Sequence, residues 1–296
     1  MRGRILLTGA SGFVGRHMAA ALLERGYEVH ALQRKWPEDL PDEVQSHCLD
    51  LLDPGALAAL PRGWDGVIPL AGESIPSSFT TVSPVVMNLH TTLNLLEHLD
   101  PAKVLLVSTC HVYAPSQAVR TEASPVAPRG RYGLSKHLME QMAAHYGTGL
   151  DIRIARPFNH LGPGQRPELV IPSLLRRLAH FRPEKGQPVV MEGFDSIRDF
   201  IDVRDVVAAY LAILELEKPA ARCFNVCTGE GRSIASVAGT VMALLGRPAP
   251  VEFLQRPHSG DDNPFLVGSP ALLQSHSAWK PRIPFDDSLR SMLQAL

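Results

Sequence analysis

Tyr132 and Lys136 stand four residues apart in Arg131-Tyr132-Gly133-Leu134-Ser135-Lys136, a spacing that puts two side chains on one face of a helix. An ammonium beside a phenol favours the phenolate, drawing the tyrosine's ordinary pKa near ~10 toward the range of proton exchange at neutral pH. Tyr132 is therefore a candidate general acid/base. An exposed helix with an amphipathic tyrosine shows the same pattern, so the pair takes its meaning from the elements that position it.

A second stretch with chemical potential opens the chain. Residues 4–8 form a short apolar run into Gly9-Ala10-Ser11-Gly12-Phe13-Val14-Gly15, after which Met18, Ala19, Leu22 and Leu23 recur at helical spacing. Strand, glycine-rich turn and helix in that order let backbone N–H groups and a helix N-terminus approach a pyrophosphate. Gly9, Ser11, Gly12, Phe13, Val14 and Gly15 are thus candidate dinucleotide contacts. The next strand, residues 27–32, ends at Gln33-Arg34-Lys35. An enzyme restricted to NAD usually places a carboxylate here for the ribose 2′-hydroxyl. This chain has two cations instead, and Arg34 suits a 2′-phosphate, so NADP is the expected cofactor and NAD the alternative. Asp50 and Leu51 close a third strand, with Asp50 facing adenine. A fourth strand runs through residues 67–70 into Leu70, Ala71 and Gly72 beneath the cofactor. Pro69 cannot donate within a central strand and is expected at its end.

Further strands are read at residues 104–109 and 150–157. A helix over residues 85–99 carries Val86, Leu89, Leu93, Leu96 and Leu99 on one stripe, assigned to core and subunit interface. Strands alternating with helices mean a parallel sheet covered on both faces. From Phe158 onward prolines and glycines interrupt short segments. The expected architecture is α/β: a Rossmann-type doubly wound parallel sheet with a smaller, mostly C-terminal α/β substrate-binding lobe. Residues 1–157 make the dinucleotide-binding domain, with 199–226 returning to it. Residues 158–198 and 227–296, including Trp279-Lys280-Pro281, make the lobe.

Composition narrows the function classes. With 296 residues, 45% hydrophobic, 20% charged and a net charge of −1, the chain reads as an ordinary globule with no basic footprint for nucleic acid. No apolar run approaches the ~20 residues that span a bilayer. The run after Arg4 stops at Thr8-Gly9 and reads as a strand rather than a leader. Cys48, Cys110, Cys223 and Cys227 form no Cys-x-x-Cys pair and no zinc-like spacing, which implies no metal and reduced thiols in a cytoplasmic protein.

Jointly these residues resemble the extended short-chain dehydrogenases/reductases that act on nucleotide sugars, the NAD-dependent epimerase/dehydratase family. The similarity runs from end to end. It is carried by residues 8–15, by Tyr132 and Lys136, by Thr109 four residues before Tyr113, and by Glu122, Pro125 and Pro128 at the family's spacing before Tyr132. Residues 155–165, 198–203, 225–229 and 279–281 are most similar to the family's GDP-4-keto-6-deoxy-D-mannose reductases, which make GDP-D-rhamnose. The resemblance implies that Tyr132 protonates the sugar C4 oxygen as hydride arrives, that Lys136 binds the nicotinamide ribose and tunes Tyr132, and that Thr109 hydrogen-bonds the same oxygen. It also implies that Pro157 and Phe158 lie near the nicotinamide amide. Asn159, Val170 and Arg198 would meet the substrate, with Arg198 on the diphosphate; its structural alternative is a salt bridge to Asp202 or Asp205. Arg256 and Asp262 would supply the nucleotide clamp. Dimerisation is implied through the helices at residues 85–99 and 132–146.

Departures from the family pattern separate reactions. Sugar 4,6-dehydratases carry an acid/base pair immediately after the hydroxyl residue, where this chain has Cys110 and His111. The epimerase-reductases that make GDP-fucose carry a cysteine where His111 stands and a histidine where Leu169 precedes Val170-Ile171-Pro172. His111 is either a packed histidine bonded to backbone or a proton handler. Simple reduction asks only for Thr109, Tyr132, Lys136 and the cofactor. A nucleotide-sugar 4-epimerase with retained NAD, and a non-catalytic dinucleotide-sensing protein, are the competing readings.

Overall fold

The computed structural model describes residues 2–36, 40–146, 149–181, 188–192, 195–246, 251–254 and 263–296. The chain opens with β1 (Arg4–Thr8), α1 (Phe13–Glu24), β2 (Glu28–Gln33), β3 (Gln45–Cys48), α2 (Pro54–Ala58), β4 (Gly66–Pro69), α3 (Ser83–His98), β5 (Lys103–Val107), α4 (Arg131–Tyr146) and β6 (Asp151–Pro157). There follow β7 (Asn159–Leu161), α5 (Val170–Ala179), β8 (Val189–Glu192), β9 (Ile197–Asp202), α6 (Val203–Glu215) and β10 (Cys223–Val226). The last elements are β11 (Gly231–Ser233), α7 (Ile234–Leu245), β12 (Val251–Leu254), β13 (Phe265–Leu266), α8 (Ala271–His276) and α9 (Phe285–Gln294).

Among the described residues the central sheet has seven strands in the order β10-β6-β5-β4-β1-β2-β3, all parallel. This is the doubly wound arrangement, whose chain order reverses between β1 and β4 and opens a crevice at the strands' carboxyl ends. Register aligns that rim: Thr8 lies beside Leu32 and Pro69, and Val107 lies beside Ala155. Pro69 does sit at the end of its strand, where the lost N–H interrupts no ladder. β1 is buried along almost its whole length, as a strand covered on both faces must be. One face packs on α1 and α6 through Leu7, Met18, Leu22, Val207 and Tyr210. The other carries α3 and α4 through Leu96, Leu106 and Met139.

Three local features differ from the sequence reading. On α3, Leu96 is buried, as is Leu99 just beyond its end, and Val86 is 54% exposed, but the buried face also includes the polar Asn88, Thr92 and Asn94. Those polar groups tolerate burial because they are bonded: Asn88 joins both backbone groups of Glu73, and Asn94 donates to the Leu51 carbonyl at 2.8 Å. Within the returning segment, α6 and β10 join the central sheet, whereas β9 pairs with β7, β11 and β13 in a smaller sheet. Trp279 packs in the core of α1 and α6 rather than in the second lobe, donating its indole N–H to the Asp205 carbonyl at 3.0 Å. The lobe has its own core, built from Leu161, Leu174, Leu178, Phe200, Val237 and Leu289.

Candidate active site

A cleft of about 1600 Å³ follows the carboxyl rim of the sheet and continues under the smaller lobe. At its centre is the glycine turn. The N-cap of α1 is Gly12, which offers no side-chain cap, and no acidic residue occupies the first turn. The helix thus presents uncapped N–H groups and the positive end of its dipole to the cleft, as an anionic pyrophosphate requires. A Cβ on Gly15 would overlap the Gly9 carbonyl oxygen and come within 2.8 Å of the Ala10 Cα. Gly15→Ala is therefore expected to displace α1 from the turn and weaken dinucleotide binding at least about tenfold. Titration with NADPH checks this; affinity within twofold of wild type would remove the turn from the binding site.

The structure brings the expected cofactor residues together along this cleft. Gly9, Ser11, Gly12, Phe13, Val14 and Gly15 line its middle, Arg34, Asp50 and Leu51 one end, and Leu70, Ala71, Gly72 and Pro157 its floor. Ala71 is fixed there by its N–H, which donates to Thr8 Oγ1 at 2.9 Å. Lys35 and the exposed Trp36 also line the Arg34 end. A dinucleotide with a phosphate near its adenine fits this donor set.

Thr109, Tyr132 and Lys136 meet at the other end. Thr109 caps the short turn at residues 110–112 by accepting from the His111 N–H. That turn rests directly on the first turn of α4, because residue 133 is glycine: a Cβ there would overlap the His111 carbonyl. The close approach brings the Thr109 hydroxyl near the Tyr132 phenol. Tyr132 does not show the lowered pKa expected from its spacing to Lys136. Burial pushes it up to about 12, against the smaller opposing influence of the Thr109 hydroxyl. The physical reason is that the Lys136 ammonium donates to the Val107 carbonyl at 3.0 Å, and burial lowers Lys136 itself to about 8. At neutral pH Tyr132 therefore holds its proton, as an acid must.

The Lys136 shift makes a pH prediction. Between about 8 and the ordinary 10.5, an unfolded chain keeps the lysine proton and the folded chain has released it, so stability rises with pH across that window. Tyr132 acts oppositely above its ordinary 10.0, where only the unfolded chain loses the proton. Urea unfolding of wild type and Lys136→Met isolates the lysine. Wild type should gain on the variant between about pH 8 and about pH 10; a constant difference would contradict the shift.

His111 packs its ring against Tyr132, with centroids 5.7 Å apart. It is not bonded to backbone through its ring among the described residues. Burial, helped by the charge of Arg198, lowers it to about 4, so it is neutral near pH 7. Cys110 is buried and pushed up to about 12, which keeps it a thiol. Asn159, Val170 and Arg198 line the lobe side of the cleft. Arg198 is not paired with Asp202 or Asp205 as its structural alternative required. Its Nη1 donates to the carbonyls of Ile197 and Pro264, Asp202 holds Arg204, and Asp205 accepts from the N–H groups of Arg282 and Ile283. Arg256 and Asp262 lie outside the described residues.

Buried polar groups hold these pieces in place. Arg156 on β6 forms a bidentate pair with Glu140 on α4 at 2.9 and 2.7 Å, and donates to Tyr113 Oη at 3.2 Å. Tyr113 in turn donates to Asn225 Oδ1 at 2.6 Å, and Glu122 accepts from the Asn225 N–H. Asp199, fully buried, accepts from Thr228, Gly229 and Gly268, tying β9 to the segment after β10. Sequence reasoning singled out these segments but gave Glu140 and Asp199 no task. The missed cleft residues include Glu73, Ser108 and Tyr210; for Ser108 the only local signal was its place before Thr109.

The NAD dependent epimerase/dehydratase family matches this chain over residues 5–227. The chain belongs to this family, the extended short-chain dehydrogenases/reductases, and is by class a nicotinamide-dependent oxidoreductase. It is 33% identical over 316 residues to a GDP-6-deoxy-D-mannose reductase of Pseudomonas aeruginosa, covering 99% of this chain and 97% of that protein. Among solved structures, RMD from Pseudomonas aeruginosa complexed with NADPH superposes with a TM-score of 0.82 at 30% identity, covering 99% and 98% of the two chains. The UDP-glucose 4-epimerase of Thermus thermophilus in complex with NAD gives 0.84 at 28% identity, covering 99% and 98%.

Proposed function

We propose that this enzyme reduces the 4-keto group of a nucleotide-linked 6-deoxyhexose, converting GDP-4-keto-6-deoxy-D-mannose to GDP-D-rhamnose with NADPH. The observation that carries the reading is the set around Tyr132. Thr109, a protonated Tyr132 and Lys136 converge, while the neighbouring Cys110 is a neutral thiol and His111 a neutral imidazole. Reduction needs one proton donor beside the carbonyl; elimination or C3/C5 epimerisation needs further acid/base groups. Likeness to the GDP-6-deoxy-D-mannose reductase supports the substrate. Arg34 and Lys35 support NADP, with NAD as the alternative.

When bound, the reduced nicotinamide supplies the hydride. Tyr132 gives its proton to the developing C4 alkoxide, and Thr109 stabilises the same oxygen by hydrogen bonding. Lys136, charged below about 8, holds the cofactor ribose and favours the phenolate left behind. Asn159, Val170 and Arg198 bind the substrate, the guanidinium of Arg198 suiting a diphosphate. His111 stands where it can meet a sugar hydroxyl. Arg256 and Asp262 complete the nucleotide clamp in this reading. We place residues 1–157 and 199–226 with the cofactor and the remainder with the sugar nucleotide. The enzyme acts in the cytoplasm as a homodimer joined through α3 and α4, whose exposed Val86, Met87 and Leu134 are apolar.

The test is NAD(P)H oxidation with GDP-4-keto-6-deoxy-D-mannose made in situ, with the product identified by NMR. Rapid oxidation to a GDP-6-deoxyhexose supports the reading, and the product's configuration distinguishes GDP-D-rhamnose from its C4 epimer. A second reading, a 4-epimerase with retained NAD, draws on the likeness to the NAD-bound epimerase. It requires tightly bound nicotinamide in purified protein and interconversion of UDP-hexoses without net oxidation.

A further inference from the structure

The chain's three tryptophans occupy very different places. Trp64 is 1% exposed and packs edge-on against His30 with ring centroids 4.9 Å apart, and Trp279 is buried with its indole N–H donated to the Asp205 carbonyl. Trp36 is 69% exposed, the most of any large hydrophobic residue described, and it lines the cleft. Backbone pairing fixes which end it occupies. The Gln33 carbonyl, at the end of β2, accepts from the Leu49 N–H at 2.9 Å, and the Arg34 carbonyl accepts from Cys48 Sγ at 3.4 Å. Residues 34–36 therefore leave the sheet beside residues 48–50. Arg34, Lys35, Trp36, Asp50 and Leu51 all border the cleft there, and β4 and β1 separate β2 from β5, the strand that leads to Thr109.

An indole carries a broad apolar face that is usually taken out of water, as in Trp64 and Trp279. Among the described residues no guanidinium stacks on Trp36. This end of the cleft thus offers an open π-face on the same short stretch of chain as two cations. A ligand that uses both must carry a planar ring close to a phosphate. The adenosine end of a phosphorylated dinucleotide has that form, because its base and its 2′-phosphate are substituents of one ribose. Stacking on the base needs no particular hydrogen bond, since every base has a π-face.

We propose that Trp36 is a stacking platform for the adenine of the cofactor, holding the base while Arg34 and Lys35 meet the phosphate on the same ribose. The inference rests on the cofactor reading above, but not on the identity of the sugar.

Calorimetric and fluorescence titrations of the whole protein with NADP⁺ and with NAD⁺ test it without substrate. Trp36→Ala should weaken every dinucleotide that wild type binds by the same factor, about tenfold, because each carries adenine. Trp36→Phe keeps a π-face and should restore most of that loss. The part of the emission that wild type shows and Trp36→Phe lacks should be quenched at saturation, since Trp64 and Trp279 are buried and neither lines the cleft. Affinity of Trp36→Ala within about twofold of wild type, or Trp36 emission unchanged at saturation, would overturn the platform and leave the cofactor reading intact. A loss confined to NADP⁺, with NAD⁺ binding unchanged, would overturn it too, by showing that the indole acts through the 2′-phosphate rather than the base. Failure of wild type to bind either dinucleotide would overturn the cofactor reading together with the platform.

Discussion

Tyr132→Phe should lower kcat/KM for the ketosugar by about 10²- to 10⁴-fold, with Kd for NADPH within about twofold of wild type. The substitution removes one hydroxyl and keeps the ring that packs against Phe79 and His111, so the fold of the site survives. What is lost is the protonated phenol placed beside Thr109; the neighbouring His111, lowered to about 4, carries no imidazolium proton at neutral pH. The burial that raises Tyr132 to about 12 suits the direction of reaction, because reduction begins from the protonated phenol. Stopped-flow measurement of NADPH oxidation and a separate cofactor titration check the two halves of the prediction. Turnover within tenfold of wild type would remove Tyr132 from the mechanism, and lost cofactor affinity would recast it as a binding residue.

Arg156→Ala is the substitution with the largest expected effect on stability, a loss of about 3–5 kcal/mol. Glu140 and Arg156 are both buried, and their bidentate pair is the polar link between α4 and β6. Removing the guanidinium strands the Glu140 carboxylate in a site with little water and leaves Tyr113 Oη without its donor. Most of the cost is the stranded charge rather than the net worth of the pair. The double variant Arg156→Met with Glu140→Met should accordingly recover much of the loss. Urea unfolding of the three proteins decides: a single-variant loss below about 1 kcal/mol, or a double variant worse than the single, would contradict this account. Because α4 carries Tyr132 and Lys136 on its first two turns, the same link sets these two residues relative to Thr109, just past the end of β5.

Much of this architecture was readable from local pattern. The apolar run of β1, the glycines that follow it and the periodicity of α1 lie within 24 residues, and each is specified by its own neighbours in sequence. The same holds for Tyr132 and Lys136, whose common face follows from helical geometry alone. Pro69 belongs at a strand end because proline lacks a donor. The buried face of α3 was read less well, because Asn88 and Asn94 are polar by type and are buried only by virtue of partners at Glu73 and Leu51.

Tertiary structure decided what the local pattern could not contain. The pKa of Tyr132 depends on burial and on where the Lys136 ammonium points, and its partner is a carbonyl on another strand. The return of β10 to the central sheet, and the departure of β9 from it, follow from pairings between distant segments. Tyr210 offered only an aromatic residue on an apolar helix, which reads as core. The structure places it at 0% exposure in the core between the sheet and α6. Composition, spacing and glycine placement thus pointed to a dinucleotide-binding α/β fold and to Tyr132 as a candidate proton donor, since both arise from short-range geometry. The protonation states and the anchoring of α4 were decided by long-range contacts, whose energies depend on which distant groups burial brings together.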